Sequence, residues 1–367
     1  MKIAIDVSQI CFPGTGVAKY TTNLVNELVK YDKHQFLLFG YSWGRRKLFN
    51  SFFENYSSLP NVTTKLIIWP NSLVNWWGNA WHKINLEDLI GKFDILHTSD
   101  WVEFPSRNIK VTTIHDLVVY RYPEYLDIRI IKTQKQKLSW VAKESHLIFS
   151  DSQATKKDII KYLKISERKI KVVYLGVDEQ FYKRSSEEIS QIKMKYNLPD
   201  KYLLFVGTRE PRKNLLRLVE AFALIKKNNL QLVIAGGIKG WGEGLKENKN
   251  IQILDYVDDM DLPALYCGSI VFVYPSLYEG FGLPILEAMR CEVPVVTSNC
   301  GSLAEISGSG VTIDPESSVS ISKGINQALS LNDMQRKEMV EKNLTWAKKF
   351  TWEKTASEVI KGYESLY

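Results

Sequence analysis

Glu279 and Glu287 flank the seven residues GFGLPIL, which puts one carboxylate before, and the other inside, whatever element follows. Carboxylates accept hydrogen bonds from neighbouring hydroxyls, so sugars and riboses are natural ligands for such a pair. Gly280 and Gly282 let the backbone approach a ligand closely. Pro284 stands where a first helical residue prefers to be, and the free N–H groups of a helix start form an anion site suited to phosphate. An ordinary helix with a glycine-rich start and one solvated Glu is the plainer alternative. The agreement of glycines, proline and both acids favours a site.

A second cluster is basic. Arg209, Arg212 and Lys213 lie in REPRKN, residues 209–214. Arg can fork onto a diphosphate and Lys can act on it as a point charge. That chemistry suits a leaving nucleoside diphosphate, on which negative charge grows as a glycosidic bond breaks. His115, in TIHDL (113–117), is a third candidate, although a lone His at a strand end is more often structural. Gly14 and Gly16, in GTGVAKY (14–20), are a fourth. Lys19 stands where a dinucleotide fingerprint needs its third Gly, so that reading is poor.

These residues need elements to hold them. Short β-branched runs at 3–7, 36–39, 65–68, 95–97, 111–114 and 147–150 read as strands, with amphipathic helical stretches such as 17–31 and 128–143 between them. The pattern repeats with strands at 202–206, 232–235, 251–254, 270–274 and 294–297 and helices at 214–227, 260–267 and 284–290. Alternating β and α implies parallel sheets covered on both faces. In such sheets ligands sit at the C-terminal ends of strands, and Gly14, Gly16, His115, Arg212, Lys213 and Glu279 all follow strands. A polar stretch, 183–200, separates the two runs, with the hinge expected near 178–184 and a last helix over 352–367. The expected division is a domain at 1–180, joined by helix 352–367, and a second domain at 181–351.

With 45% hydrophobic and 24% charged residues the chain is globular and can bury two cores. The net charge of +7 is interspersed with acids; it favours phosphates or a membrane surface and does not by itself indicate nucleic acid. Cys11, Cys267, Cys291 and Cys300 form no CxxC pair, which points to a reducing compartment. The N-terminus has no signal-peptide character and no apolar run reaches the ~20 residues of a membrane span. A cytoplasmic protein is expected, with peripheral contact at the inner membrane face left open. NWWGNAW (75–81), with Arg45, Arg46 and Lys47 upstream, could dock a lipid-bearing acceptor, or its Trp76, Trp77 and Trp81 could pack internally or at a partner surface. Packing is the preferred reading.

The Glu279-to-Glu287 spacing, GTGVAKY, TIHDL, VGTREPRKN (206–214) and the closing segment 346–367 together resemble glycosyltransferase family 4 of the GT-B fold over essentially the whole chain. The resemblance implies two Rossmann-like domains facing across a cleft, with the last helix crossing back to the N-terminal one. It implies retaining transfer of a hexose from a nucleoside-diphosphate sugar to a glycan or lipid-linked acceptor, without a metal. Glu287 would bind the ribose and Glu279 the donor sugar, and the backbone of Gly280, Phe281, Gly282 and Leu283 would meet sugar and phosphate. His115 would contact the sugar or its phosphate, Gly16 would face the diphosphate, and loops at Gly236 and Val257 would cradle the base. Many relatives carry Arg after the glycine matching Gly207; here it is Thr208, and Arg212 is the candidate for the missing charge. The VGTREPRKN block and TIHDL lean toward GDP-mannose, with a UDP-sugar also open. The rival readings are another GT-B nucleotide-sugar enzyme, such as an epimerase, and a catalytically silent partner subunit of the same fold.

Overall fold

The computed structural model describes residues 1–227, 229–237 and 249–367. The chain forms two compact units, one of Met1–Gly176 with Trp352–Tyr367, the other of Val177–Thr351.

The first unit holds seven strands: β1 (Lys2–Asp6), β2 (Gln35–Tyr41), β3 (Val62–Ile67), β4 (Ile95–Ser99), β5 (Ile109–Ile114), β6 (Leu147–Ser150) and β7 (Ile170–Val172). They pair in parallel in the order β3-β2-β1-β4-β5-β6-β7. The second unit holds β8 (Tyr202–Val206), β9 (Gln231–Ala235), β10 (Ile251–Leu254), β11 (Val271–Tyr274), β12 (Val295–Ser298) and β13 (Val311–Ile313). Their order is β10-β9-β8-β11-β12-β13, again parallel. Central strands such as VFVY of β11 and VVTS of β12 are buried along their whole length, as a sheet covered on both faces requires. The three-residue strands β7 and β13 escape the sequence reading because they are too short to show a period. Helix 214–227 of that reading is shorter in the structure, Leu215–Ala223, because Asn214 is left-handed at φ 64° and Leu224 ends the turn.

Each sheet reverses its winding once, between β1 and β4 in the first unit and between β8 and β11 in the second. Loops leaving neighbouring strands on opposite sides of such a reversal diverge and open a crevice at the strands' C-terminal ends. The loop after β8 carries Arg209–Lys213 and that after β11 carries Glu279, so the topology alone brings the acid and the bases together.

The helix Trp352–Glu364 belongs to the first unit. Tyr363 Oη lies 2.5 Å from His97 Nδ1, and Thr355 Oγ1 donates to the Tyr174 carbonyl at 2.8 Å. Gly362 permits this docking, since a Cβ there would fall 2.5 Å from the Phe149 ring.

Candidate active site

Glu279 is the hub of the second unit's crevice. Its Oε1 accepts from Lys213 Nζ at 2.6 Å and from Tyr274 Oη at 3.0 Å, and its Oε2 accepts from Arg212 Nη1 at 2.8 Å. Lys213 Nζ also donates to Tyr274 Oη at 2.7 Å. Burial disfavours the Glu279 carboxylate, yet the charges of Arg212 and Lys213 overcome it and hold its pKa down from 4.5 to about 2. For Lys213, burial and then the neighbouring Arg212 push the ammonium below its ordinary range, against the pull of Glu279. Two cations are thus held together by one carboxylate, with Glu210 accepting from Arg212 Nε at 2.9 Å. A diphosphate could share those cations without waiting for side chains to reorganise.

The backbone fixes this cluster. Asn214 takes the left-handed turn that Asn tolerates, and its Nδ2 donates to the carbonyls of Pro275 (3.0 Å) and Pro315 (2.6 Å). Leu277 N–H donates to the Arg212 carbonyl at 2.8 Å, and Ser302 Oγ to the Glu279 carbonyl at 2.8 Å. The loops after β8 and β11 are therefore bolted to each other.

Gly280–Gly282 lead into the helix Leu283–Arg290. Gly282 caps it at φ 114°, a left-handed conformation that favours glycine. Leu283 takes the first helical position and Pro284 the second, one later than the sequence suggested; a proline in the first turn costs no intrahelical bond, because the N–H it lacks would have no partner there. The Phe281 side chain is buried against Phe350. Glu287 is buried within the helix, and Tyr266 Oη donates to its Oε2 at 2.9 Å.

Arg209 does not join the Glu279 cluster. It is buried and forms an ion pair with Asp255, while its Nε donates to the Gly236 carbonyl at 3.2 Å. It ties together the loops after β8, β9 and β10. Gly236, at φ 143°, lies so close to Gly207 that a Cβ would fall 2.0 Å from the Gly207 carbonyl oxygen. Val257 is buried among the core residues.

In the first unit, His115 follows β5 and Asp151 follows the adjacent β6. His115 Nδ1 lies 2.7 Å from Asp151 Oδ2, and the Tyr20 ring meets the imidazole edge-on at 4.5 Å. Gly16 opens the helix Gly16–Leu28, capped by the Thr15 side chain. It is exposed, and a Cβ there would meet nothing within 4 Å. Packing does not demand glycine at this position. The tryptophan cluster divides: Trp77 is buried in the core with its Nε1 donating to the Ile84 carbonyl, whereas Trp76 and Trp81 are exposed and stacked at 5.3 Å. A π-helical turn, Trp76–Trp81, produces that split.

Sequence reasoning missed Tyr274, Tyr266, Asn214 and Asp151. Among the described residues, no group of three His, Cys, Asp or Glu is placed to hold a metal ion, and no helix is long and apolar enough to cross a membrane.

With both sheets and the crevice defined, known structures fit the whole chain. Sucrose-phosphate synthase from Thermosynechococcus elongatus superimposes with a TM-score of 0.75 at 19% identity, covering 100% of this chain and 99% of that one. Anabaena HepE, solved with UDP and glucose, gives 0.71 at 16% identity with full coverage of both chains. The fold is GT-B. Residues 14–181 match Glycosyltransferase Family 4 and residues 185–346 match Glycosyl transferases group 1. O-antigen chain mannosyltransferase B of Escherichia coli is 31% identical over 100% of both chains. A serotype-specific mannosyltransferase of Escherichia coli is 32% identical over 72% of this chain, which matches about a third (35%) of that longer protein. The chain belongs to the family 4 glycosyltransferases and is a glycosyltransferase.

Proposed function

We propose that this enzyme transfers mannose from GDP-mannose to a glycan or lipid-linked acceptor, with retention at the anomeric carbon and without a metal. The observation that carries the reading is the buried Glu279 carboxylate shared by Lys213 and Arg212, 2.6 and 2.8 Å away, just before a helix start. When the donor binds, its diphosphate would take up positive charge from Lys213, Arg212 and the N–H groups after Gly282, which is the service a divalent cation gives elsewhere. Glu279 would then accept hydrogen bonds from the sugar's hydroxyls. Glu287, oriented by Tyr266, would hold the ribose. His115 and Gly16 of the first unit would contact sugar or phosphate, and the loops at Gly236 and Val257 would receive the base. The acceptor hydroxyl would attack from the face the diphosphate leaves, and the leaving phosphate would take its proton.

Mannose is favoured because the similar Escherichia coli proteins are mannosyltransferases, one of them for the O-antigen chain. Polysaccharide assembly at the cytoplasmic face of a membrane is the matching setting. An intact Glu279–Lys213–Arg212 cluster argues against a silent partner subunit. A thermal-shift screen of GDP-, UDP- and ADP-sugars tests the donor: GDP-mannose should stabilise most. Stabilisation by UDP-sugars alone would reassign the nucleotide, and none by any of them would remove the donor site.

A further inference from the structure

Asp151 is buried, with 4% of its side chain exposed, and its carboxylate sits 2.7 Å from His115 Nδ1. The backbone around it is fixed as well: Thr155 Oγ1 donates to the His115 carbonyl at 3.2 Å, and Ser152 caps the helix Gln153–Leu163 that follows. The other ring nitrogen, Nε2, is buried and has no hydrogen-bond partner. An unmet buried nitrogen costs roughly 1–3 kcal/mol. It persists most readily where a ligand completes it.

We infer that Asp151 is a positioning residue for transfer: it grips His115 by Nδ1 and so presents Nε2 as a hydrogen-bond donor to the anionic sugar nucleotide. The inference rests on the proposed role of His115 in binding that donor. The groups facing His115 are Asp151 after β6, Asp100 after β4, the adjoining Asp116, His97 on β4 and Tyr20 on the helix Gly16–Leu28. Burial favours the neutral ring, but Asp151, by charge and hydrogen bond, and then Asp100 and Asp116 hold the imidazolium above its ordinary range. Burial raises Asp151 too, so the two groups titrate as a pair. With His115 raised, the donor form is complete at low pH and is lost as pH climbs through the pair's upper step.

The test uses the full-length enzyme with histidine labelled at Cε1, and His115→Gln assigns its signal among the five histidines. Asp151→Asn keeps an acceptor for Nδ1–H and removes only the charge. The His115 step should fall by on the order of one unit or more. The alkaline fall of kcat/KM with GDP-mannose should move down in pH by the same amount, and Asp151→Glu should restore part of both. An alkaline limb that stays put while the His115 step moves overturns the inference, as does a His115 step that does not move. Either result, combined with a loss of transfer in His115→Gln, would leave the donor-binding role of His115 standing. Full activity in His115→Gln would overturn that role and the inference together.

Discussion

Replacing Glu279 by glutamine keeps the side chain's shape and removes the charge that Lys213 and Arg212 share. The carboxylate is 9% exposed and bonded at 2.6 Å to Lys213 and 2.8 Å to Arg212. Its pKa is depressed from 4.5 to about 2. At about 1.4 kcal/mol per unit that amounts to about 3 kcal/mol of stability. The value sits at the lower edge of the roughly 3–5 kcal/mol typical when one partner of a buried ion pair is removed. For a unit of this size each kcal/mol shifts Tm by roughly 2–4 °C. Glu279→Gln should therefore melt about 6–12 °C lower at neutral pH. The sign follows from the direction of the shift: a depressed carboxylate stabilises above its ordinary pKa and loses that contribution as pH falls from 4.5 through about 2. The gap between wild type and variant should narrow over that range. A nucleoside diphosphate should act in the opposite sense. In the variant the cations lack their carboxylate, so GDP should raise its Tm more than it raises that of the wild type. Turnover should nevertheless fall, because the group proposed to meet the sugar is altered. Differential scanning fluorimetry with and without GDP, across pH, measures all of this. A variant as stable as wild type at pH 7, or one that GDP stabilises less, would refute the reasoning.

Glu287→Ala should weaken nucleoside-diphosphate binding by on the order of 1.5–3 kcal/mol, the worth of a hydrogen bond to a charged group; calorimetry with unchanged affinity would end the ribose assignment. Lys213→Ala should lower kcat by roughly 10²–10³ with the fold intact, and Lys213→Arg should lower it less, because a charge beside the departing diphosphate is what matters. Steady-state rates decide this, and a fully active alanine variant rules it out. EDTA should leave transfer largely intact, since Lys213, Arg212 and the helix start already supply positive potential. Activity that vanishes in EDTA and returns with manganese would contradict the metal-free reading.

Much of this molecule is legible before any coordinates. Parallel sheets are readable because strands buried on both faces show as unbroken apolar runs, as in VFVY of β11. The convergence of Glu279 with Arg212 and Lys213 is readable because all three follow strands, and a single winding reversal between β8 and β11 brings their loops together. What stays hidden is pairing between distant loops. Tyr274 and Tyr266 look like core aromatics, and only the fold shows their hydroxyls on Glu279 and Glu287. Arg209 sits next to the cluster in sequence, yet its partner is Asp255, which no spacing foretells. Asp151 lies one strand away from His115 and carries no motif of its own. The tryptophan cluster was unreadable for a different reason: a π-helical turn rotates Trp77 inward and leaves Trp76 and Trp81 outside, and no ordinary helical period gives that result.

The proposed reaction is mannosyl transfer from GDP-mannose with retention, carried by the Glu279–Lys213–Arg212 cluster. Its most direct test is an NMR assay of purified enzyme with GDP-mannose and a short mannose-ended glycan or lipid-linked acceptor, without added metal, followed from the first turnovers. GDP release should be matched by a new mannosyl linkage of the same anomeric configuration as the donor, and both signals should fall by roughly 10²–10³ in rate in Lys213→Ala. A product of inverted configuration, or transfer only from a different nucleotide sugar, would contradict it.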